Sequence, residues 1–322
     1  MKIEKQGDSA DLAESVSSVS IAVFSYNRGR NLEVCLESIT RHAPGARVVI
    51  FDDCSTDDET IGVLERTGFE VLRSRAESRS RHGSLYSNMQ LALEACRTEY
   101  LLLLQDDTQI VRTITEDDYS AIALCFEDPE IAFLRCQFMK EGDGKRFVDS
   151  LVPDRDIRVY VPRTTGSSML PGNAYCDVVL CHVSKLRAAN WKFADLERTN
   201  QIAAQKLFKY MPLLGDPFLF YCPEVPSYRD RKLYLASRIV QRAREEQVVS
   251  YLPMSEEEIG RLKNRPLSDF PVAEDWLTPT LPDVKRPFVF QDYSRTWWLT
   301  ALYKVESRLW RMWKPFHRLF RP

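Results

Sequence analysis

No run of apolar residues in this chain approaches the roughly 20 that a membrane-spanning helix needs. The first twenty residues are polar and partly acidic, with no apolar centre, so no signal peptide is expected either. An excess of either charge is also missing. The 44 Lys and Arg stand against 46 Asp and Glu, which gives no reason to expect a nucleic-acid partner. The eight cysteines lack any CxxC pair of the kind that binds zinc. Cys176, Cys181 and His182 come nearest to a cluster, but alternation along a strand puts Cys181 on the face opposite the other two. Reduced thiols in a cytoplasmic protein are therefore expected. There is no internal repeat, and the length suits one large domain with an appendage.

Four short, nearly continuous apolar runs are present: Ile21–Phe24, Val48–Phe51, Phe69–Leu72 and Tyr100–Leu104. Helical periodicity fills the stretches between them, with Leu32, Cys35, Leu36 and Ile39 on one stripe and Leu85, Met89, Ala92 and Cys96 on another. Apolar runs alternating with amphipathic helices predict a buried, mostly parallel sheet. Right-handed crossovers then bring the carboxyl ends of the strands, and the loops that follow them, to one edge. Farther along, the sequence predicts a helix over Thr115–Phe126, a strand over Ile131–Phe138 and a glycine-bearing hairpin near Glu141–Lys145. A strand over Ala174–His182 and helices over Ser184–Asn190 and Arg198–Met211 follow, and the domain closes near Pro226.

The loops at that edge carry the chemistry. They read Tyr26-Asn27-Arg28, Asp52-Asp53 and Asp106-Asp107. Thr56 followed by Glu59 reads as a helix cap, and the acids of Thr56-Asp57-Asp58-Glu59 suit a helix N-terminus without any ligand. Asp52 and Asp53 precede that cap and are candidate ligand contacts, with an Asx turn as the structural alternative for one of them. Asp106 and Asp107 place two like charges together, repelling by roughly 1 to 4 kcal/mol at about 4 Å separation. A hard divalent cation, shared with diphosphate oxygens, would offset that repulsion; two solvated acids ending a strand are the alternative. Between Arg73 and Gly83 runs a basic loop ending at a helix N-terminus, where phosphate is favoured and Arg79, Arg81 and His82 are the candidate contacts.

These residues resemble the inverting glycosyltransferases of family 2, which use the GT-A fold. Ser20-Ile-Ala-Val-Phe-Ser-Tyr-Asn-Arg28 is similar to their opening strand and loop. Val48-Val-Ile-Phe-Asp-Asp-Cys-Ser-Thr-Asp57 is similar to their nucleotide-binding strand, and Gly83–Asn88 followed by Tyr100-Leu-Leu-Leu-Leu-Gln-Asp-Asp107 to their approach to the DXD metal motif. The resemblance covers about residues 18 to 110. It implies a GT-A (Rossmann-like) α/β fold, a mostly parallel sheet flanked by helices, with a mainly helical C-terminal extension. It also implies a nucleotide-diphosphate sugar as donor, UDP-sugar favoured, and Mn²⁺ or Mg²⁺ as cofactor. Tyr26, Asn27, Arg28, Asp52, Asp53, Arg81, Gly83, Asn88 and Asp106 would face the nucleotide, and Asp107 with Asp106 the metal. Gln105 stands where the family usually has the first acid of DXD. The catalytic base would lie near Asn190–Glu197, with Asp195 and Glu197 as candidates, although both also suit the first turn of a helix. Trp191 is a candidate wall of the acceptor pocket or a core residue.

The implied division is a disordered tail over 1–17, a glycosyltransferase domain over 18–225, an extension over 226–290 and a basic amphipathic helix over 291–322. Pro266, Pro271, Pro279, Pro282 and Pro287 break the extension into short pieces. In the last segment Trp298, Leu302, Val305, Leu309, Met312, Phe316 and Leu319 recur at helical spacing beside a stripe of Lys304, Arg308, Arg311, Lys314, Arg318 and Arg321, with Pro315 as an expected kink. Such a helix, over 295–321, suits either attachment to the cytoplasmic face of a membrane or a protein contact, including an oligomer. The acceptor implied is a glycan or lipid-linked glycan, in cell-surface polysaccharide biosynthesis. Two alternatives remain. A sugar-phosphate nucleotidyltransferase shares the plan, but its glycine-rich loop is missing because Ser25-Tyr26-Asn27-Arg28 precedes the glycine. A non-catalytic homologue that binds glycan or scaffolds an assembly would account for Gln105.

Overall fold

The computed structural model describes residues 19–74, 84–163, 174–226, 234–244 and 247–319, with side chains described as far as residue 313. In chain order the first elements are β1 (Val19–Ser25), α1 (Gly29–His42), β2 (Arg47–Asp52), α2 (Asp58–Arg66), β3 (Glu70–Arg73), α3 (Leu85–Ala95), β4 (Tyr100–Gln105), β5 (Thr108–Ile110) and α4 (Glu116–Glu127). They are followed by β6 (Phe133–Leu134), α5 (Glu141–Phe147), β7 (Leu151–Asp154), β8 (Val159–Pro162), β9 (Val179–His182), α6 (Val183–Ala188) and α7 (Glu197–Leu207). The last are β10 (Leu213–Leu214), β11 (Leu219–Tyr221), α8 (Leu235–Arg244), α9 (Glu256–Asn264), α10 (Ala273–Trp276) and α11 (Trp297–Leu319).

The main sheet has six strands in the order β3-β2-β1-β4-β9-β6. β3, β2, β1 and β4 run parallel, and β9 is antiparallel to both β4 and β6. Burial of both faces explains the unbroken apolar runs of the central strands. Ile21 and Val23 of β1 pack with Leu32, Cys35 and Ile39 of α1. Ala22 and Phe24, one residue out of phase, pack with Met89, Ala92 and Leu93 of α3 on the other face. Each fully buried Leu or Ile contributes about 2 kcal/mol by this burial. Trp191 is core: it is 3% exposed and lies against Phe133, Tyr175, Phe193 and Phe208.

Three expectations change. Residues 131–138 contribute only Phe133–Leu134 to the ladder, because beyond Leu134 the chain turns to make single bridges from Arg135 to Leu213 and from Gln137 to Leu219. The segment at Glu141–Lys145 is the helix α5, not a hairpin. Its Gly144 marks a close approach, since a Cβ there would lie 2.7 Å from Val272 Cγ1. The cap of α2 is Asp57, whose Oδ1 accepts the Thr60 N–H at 2.8 Å. Thr56 is held outside the helix because its own N–H donates to Asn27 Oδ1 at 2.8 Å.

The residues after 226 dock on this layer. Tyr251, Met254, Ile259, Leu262 and Phe288 form a cluster with Val111, Phe138 and Phe220. Gln109 pairs with the Tyr251 main chain through both amide atoms, donating at 2.8 Å and accepting at 2.9 Å. Arg265 reaches Asp216 at 2.6 Å, and Arg158 meets the same carboxylate at 2.7 Å. Within the main layer, fully buried Arg112 forms a two-point pair with Asp118 at 2.7 and 2.8 Å, which satisfies a charge that would otherwise be costly to bury.

Candidate active site

The loops after β1, β2 and β4 meet at the carboxyl edge of the sheet. Asp106 and Asp107, at the end of β4, are 4% and 0% exposed. Both carboxylates converge on one atom, Arg28 Nη1, which lies 3.2 Å from Asp106 Oδ1 and 2.6 Å from Asp107 Oδ2. Asp106 Oδ2 accepts the Tyr26 N–H at 3.0 Å. Burial holds the Asp106 carboxyl well above the ordinary aspartate range, Arg28 pulls it down and Asp107 pushes it up. The repulsion between these acids therefore has an offset within the chain itself, the Arg28 guanidinium.

The neighbouring polar residues are locked to one another. Asn27 adopts φ +50°, where asparagine is among the few tolerated side chains. Its Oδ1 accepts from the Thr56 N–H and its own N–H donates to Ser55 Oγ at 3.0 Å, so the loops after β1 and β2 form one unit. Gly29 allows this approach, since a Cβ there would lie 2.5 Å from the Glu59 carbonyl carbon and the Thr60 nitrogen. Asp52 is 1% exposed and accepts from Ser55 N at 3.0 Å and Ser55 Oγ at 2.5 Å, which is the Asx-type role. Asp53 accepts the Ser84 N–H at 3.1 Å, at the start of α3. Asn88 is buried and its Oδ1 accepts from Ser74 Oγ at 2.8 Å. Arg79, Arg81, His82 and Gly83 lie outside the described residues.

Asp195 and Glu197 are both exposed, just before and within the first turn of α7. Sequence reasoning passed over the residue beside them, Asp177. Its N–H faces Glu197 Oε1 at 3.4 Å, and its Oδ2 accepts the Tyr86 hydroxyl at 3.0 Å. The β4–β9 ladder explains its position: two residues beyond the last pair, Leu103 with Val179, stand Gln105 and Asp177. The pairing of β9 with β4 was the missing signal, because no local pattern in Ala174–His182 names its partner. Burial raises the hydroxyl pKa of Tyr221, at the end of β11, well above the usual value, with Cys176, Asp107 and Glu197 adding to the rise and Arg135 opposing it. Through the β4–β9 register and the Asp177–Glu197 contact, the acid doublet and Glu197 belong to one edge. A cavity of about 490 Å³ adjoins it, lined by Asn27, Arg28, Asp57, Glu59, Gln241 and Arg244 among others.

The donor set fits a cation of limited protein ligation. Two carboxylates already aim at one cationic atom, and among the described residues no group of three or more His, Cys, Asp or Glu could hold a metal by itself. A hard cation bound there would need oxygen ligands from its substrate, as Mg²⁺ and Mn²⁺ commonly do with diphosphates.

Residues 20–118 match the family model described as glycosyl transferase family 2. No curated protein matches the chain. Similar solved structures include S. aureus TarS residues 1–349, with 14% identity over 63% of this chain and 60% of that one and a TM-score of 0.41. The mannosyltransferase PcManGT from Pyrobaculum calidifontis, in complex with GDP-Man and Mn²⁺, has 16% identity over 70% and 61% of the two chains and a TM-score of 0.41. Glucosyl-3-phosphoglycerate synthase from Mycobacterium tuberculosis, in complex with Mn²⁺ and UDP-glucose, has 13% identity over 78% and 90% and a TM-score of 0.44. This chain spans less than two thirds of the length of the TarS and PcManGT structures. The similarity to glycosyl transferase family 2 thus rests on residues 20–118, the part of the chain that carries β1 to β5 and the start of α4.

Proposed function

We propose that the protein transfers a sugar from a nucleotide-diphosphate donor, UDP-sugar first among those to test, to a hydroxyl of a glycan or lipid-linked glycan, with inversion. The convergence of Asp106 and Asp107 on a single cationic point, beside the loop after β1, carries this reading. Asp107 and Asp106 would hold Mn²⁺ or Mg²⁺, which when bound supplies positive charge to the diphosphate as it departs. Tyr26, Asn27 and Asp53 flank the nucleotide; Asp52 and Asn88 keep the loops around it in shape. Arg28 is the chain's own cation at this edge and donates to phosphate oxygens.

Glu197 removes the proton from the acceptor hydroxyl, whose oxygen then forms the new bond at the anomeric carbon as the bond to the diphosphate breaks on the opposite face. Asp177, fixed by Tyr86, orients the start of α7 beneath Glu197. Asp195 is exposed on the same turn and is the second candidate base. Gln105 in place of an acid, with Arg28 engaging both remaining carboxylates, favours one other reading, a homologue that binds nucleotide or glycan without turnover.

Calorimetric titration of UDP, GDP, dTDP and CMP, with and without Mn²⁺, tests the donor site in the wild type and in Asp107→Ala. One diphosphate is expected to bind in a Mn²⁺-dependent manner, and Asp107→Ala to abolish that binding. Absence of binding by every nucleotide would remove the donor-site assignment.

A further inference from the structure

The five most exposed large apolar side chains among the described residues all lie on α11: Trp297 at 83%, Met312 and Trp313 at 67%, Val305 at 55% and Leu309 at 54%. Trp298, at 46%, lies on one stripe with Val305, Leu309, Met312 and Trp313, while Trp297 lies about 100° away on the side of the neighbouring cations. The helix is not a loose end. Leu299 is buried with Ala236, Val240 and Tyr293, and Leu302 and Tyr303 pack against that cluster. The Tyr303 ring stacks on Tyr293 at 3.9 Å and meets Tyr234 edge-on at 4.8 Å. The one acidic residue of the helix, Glu306, accepts the Leu235 N–H at 2.7 Å. With 3.6 residues per turn, α11 therefore divides into three sectors. One is docked on α8 and residues 292–295. A second is apolar and exposed. The third, about 100° from the second, carries Lys304, Arg308 and Arg311, all exposed.

We propose that this face of α11 binds the surface of an anionic lipid bilayer, independently of whether the donor-site reading holds. The chain is nearly neutral overall, with 44 basic against 46 acidic residues, yet the charges exposed on this face between residues 297 and 313 are all positive. A two-fold contact with a second copy would bring that basic stripe towards its own image. An anionic headgroup layer neutralises it while the apolar stripe enters the acyl boundary and the tryptophan rings sit at headgroup depth. No described helix is long and apolar enough to cross a membrane, so the contact lies in the plane of the interface. The docked sector sets the consequence. α8, against which α11 packs, also lines the cavity beside Asn27 and Arg28, so the donor edge is held next to the bilayer.

Flotation of the full chain with vesicles tests this. Binding is expected to vesicles of equal parts phosphatidylcholine and phosphatidylglycerol, and to be far weaker to phosphatidylcholine alone. The triple variant Lys304→Glu, Arg308→Glu, Arg311→Glu should weaken it on the order of 100-fold, about fivefold for each cation. Trp297→Ala with Trp313→Ala should weaken it independently of salt. All five positions are exposed, so folding is checked simply by an unchanged circular dichroism spectrum. Equal binding to both vesicle types, unaffected by the charge reversal, would overturn the proposal. So would absence of vesicle binding together with a concentration-dependent dimer that Leu309→Ser dissociates, which would assign the face to a second copy.

Discussion

The two sides of the sheet edge are built in opposite ways. On the β1–β2 side every polar group singled out is held by a neighbour: Asp52 by Ser55, Asn27 by Thr56, Asp53 by Ser84 and Asn88 by Ser74. On the β9 side Asp195 and Glu197 stand exposed at the start of a helix, and of the two it is Glu197 that accepts the Asp177 N–H, with Asp177 in turn accepting from the Tyr86 hydroxyl. A rigid side suits a part of the substrate that does not change, the nucleotide diphosphate. An open side suits an acceptor whose position must adjust and whose hydroxyl needs an available base.

The largest effect that would break this contrast is on catalysis. Glu197→Gln is expected to lower turnover by roughly 10²- to 10⁴-fold while leaving nucleotide affinity unchanged, as steady-state rates beside calorimetry would show. Asp195→Asn should stay within a few-fold of wild type; the reverse pattern would move the base to Asp195.

The C-terminal unit provides a comparison outside both sides. Asp292 is 1% exposed and burial raises its pKa to about 6, against hydrogen bonds from the Tyr293 N–H and the Ser237 hydroxyl. For an acid whose folded pKa is raised, the folded state binds more protons than the unfolded chain, so stability falls as pH rises through the interval from the ordinary aspartate value to about 6. A shift of about two units corresponds to about 3 kcal/mol at most. Asp292→Asn should therefore gain on the wild type in urea midpoint as pH rises across that interval, then run parallel to it above.

Smaller again is the cost of unlocking the rigid side. Asn27→Ala places a Cβ-bearing residue with no polar side chain at φ +50° and removes the Thr56 acceptor, for about 2 kcal/mol of stability. Asp195→Ala, on the open side, should leave the melting temperature nearly unchanged. Smallest is Tyr86→Phe, which removes one hydrogen bond to Asp177 and should lower turnover by about tenfold or less without affecting donor binding.

The same contrast explains what could be read from the chain alone. Strands β1, β2 and β4 are legible because two-sided burial writes continuous apolar runs, and the acids at their ends follow directly from those runs, whereas β3 is an edge strand with Leu72 exposed. The role of each acid was less legible. Asp106 and Asp107 suggest an external cation by their proximity, but Arg28, distant from them along the chain, already faces both. Asp57, not Thr56, caps α2 because a tertiary contact from Asn27 removes Thr56 from the helix. Asp177 was invisible because its position depends on an antiparallel pairing between segments far apart in sequence. Local physics writes the elements, and pairing over distance decides which polar groups meet.

The central claim is that the edge bearing Asp107 and Glu197 both binds a nucleotide sugar and turns it over. Release of nucleoside diphosphate from UDP-, GDP- and dTDP-sugars, in the presence of Mn²⁺ and with water as the default acceptor, tests it most directly. The account predicts slow but measurable release from one donor by the wild type, none by Asp107→Ala, and binding without release by Glu197→Gln. Donor binding by the wild type with no release from any sugar, under conditions where Asp107→Ala abolishes the binding, would contradict it and leave a nucleotide-binding protein without transfer.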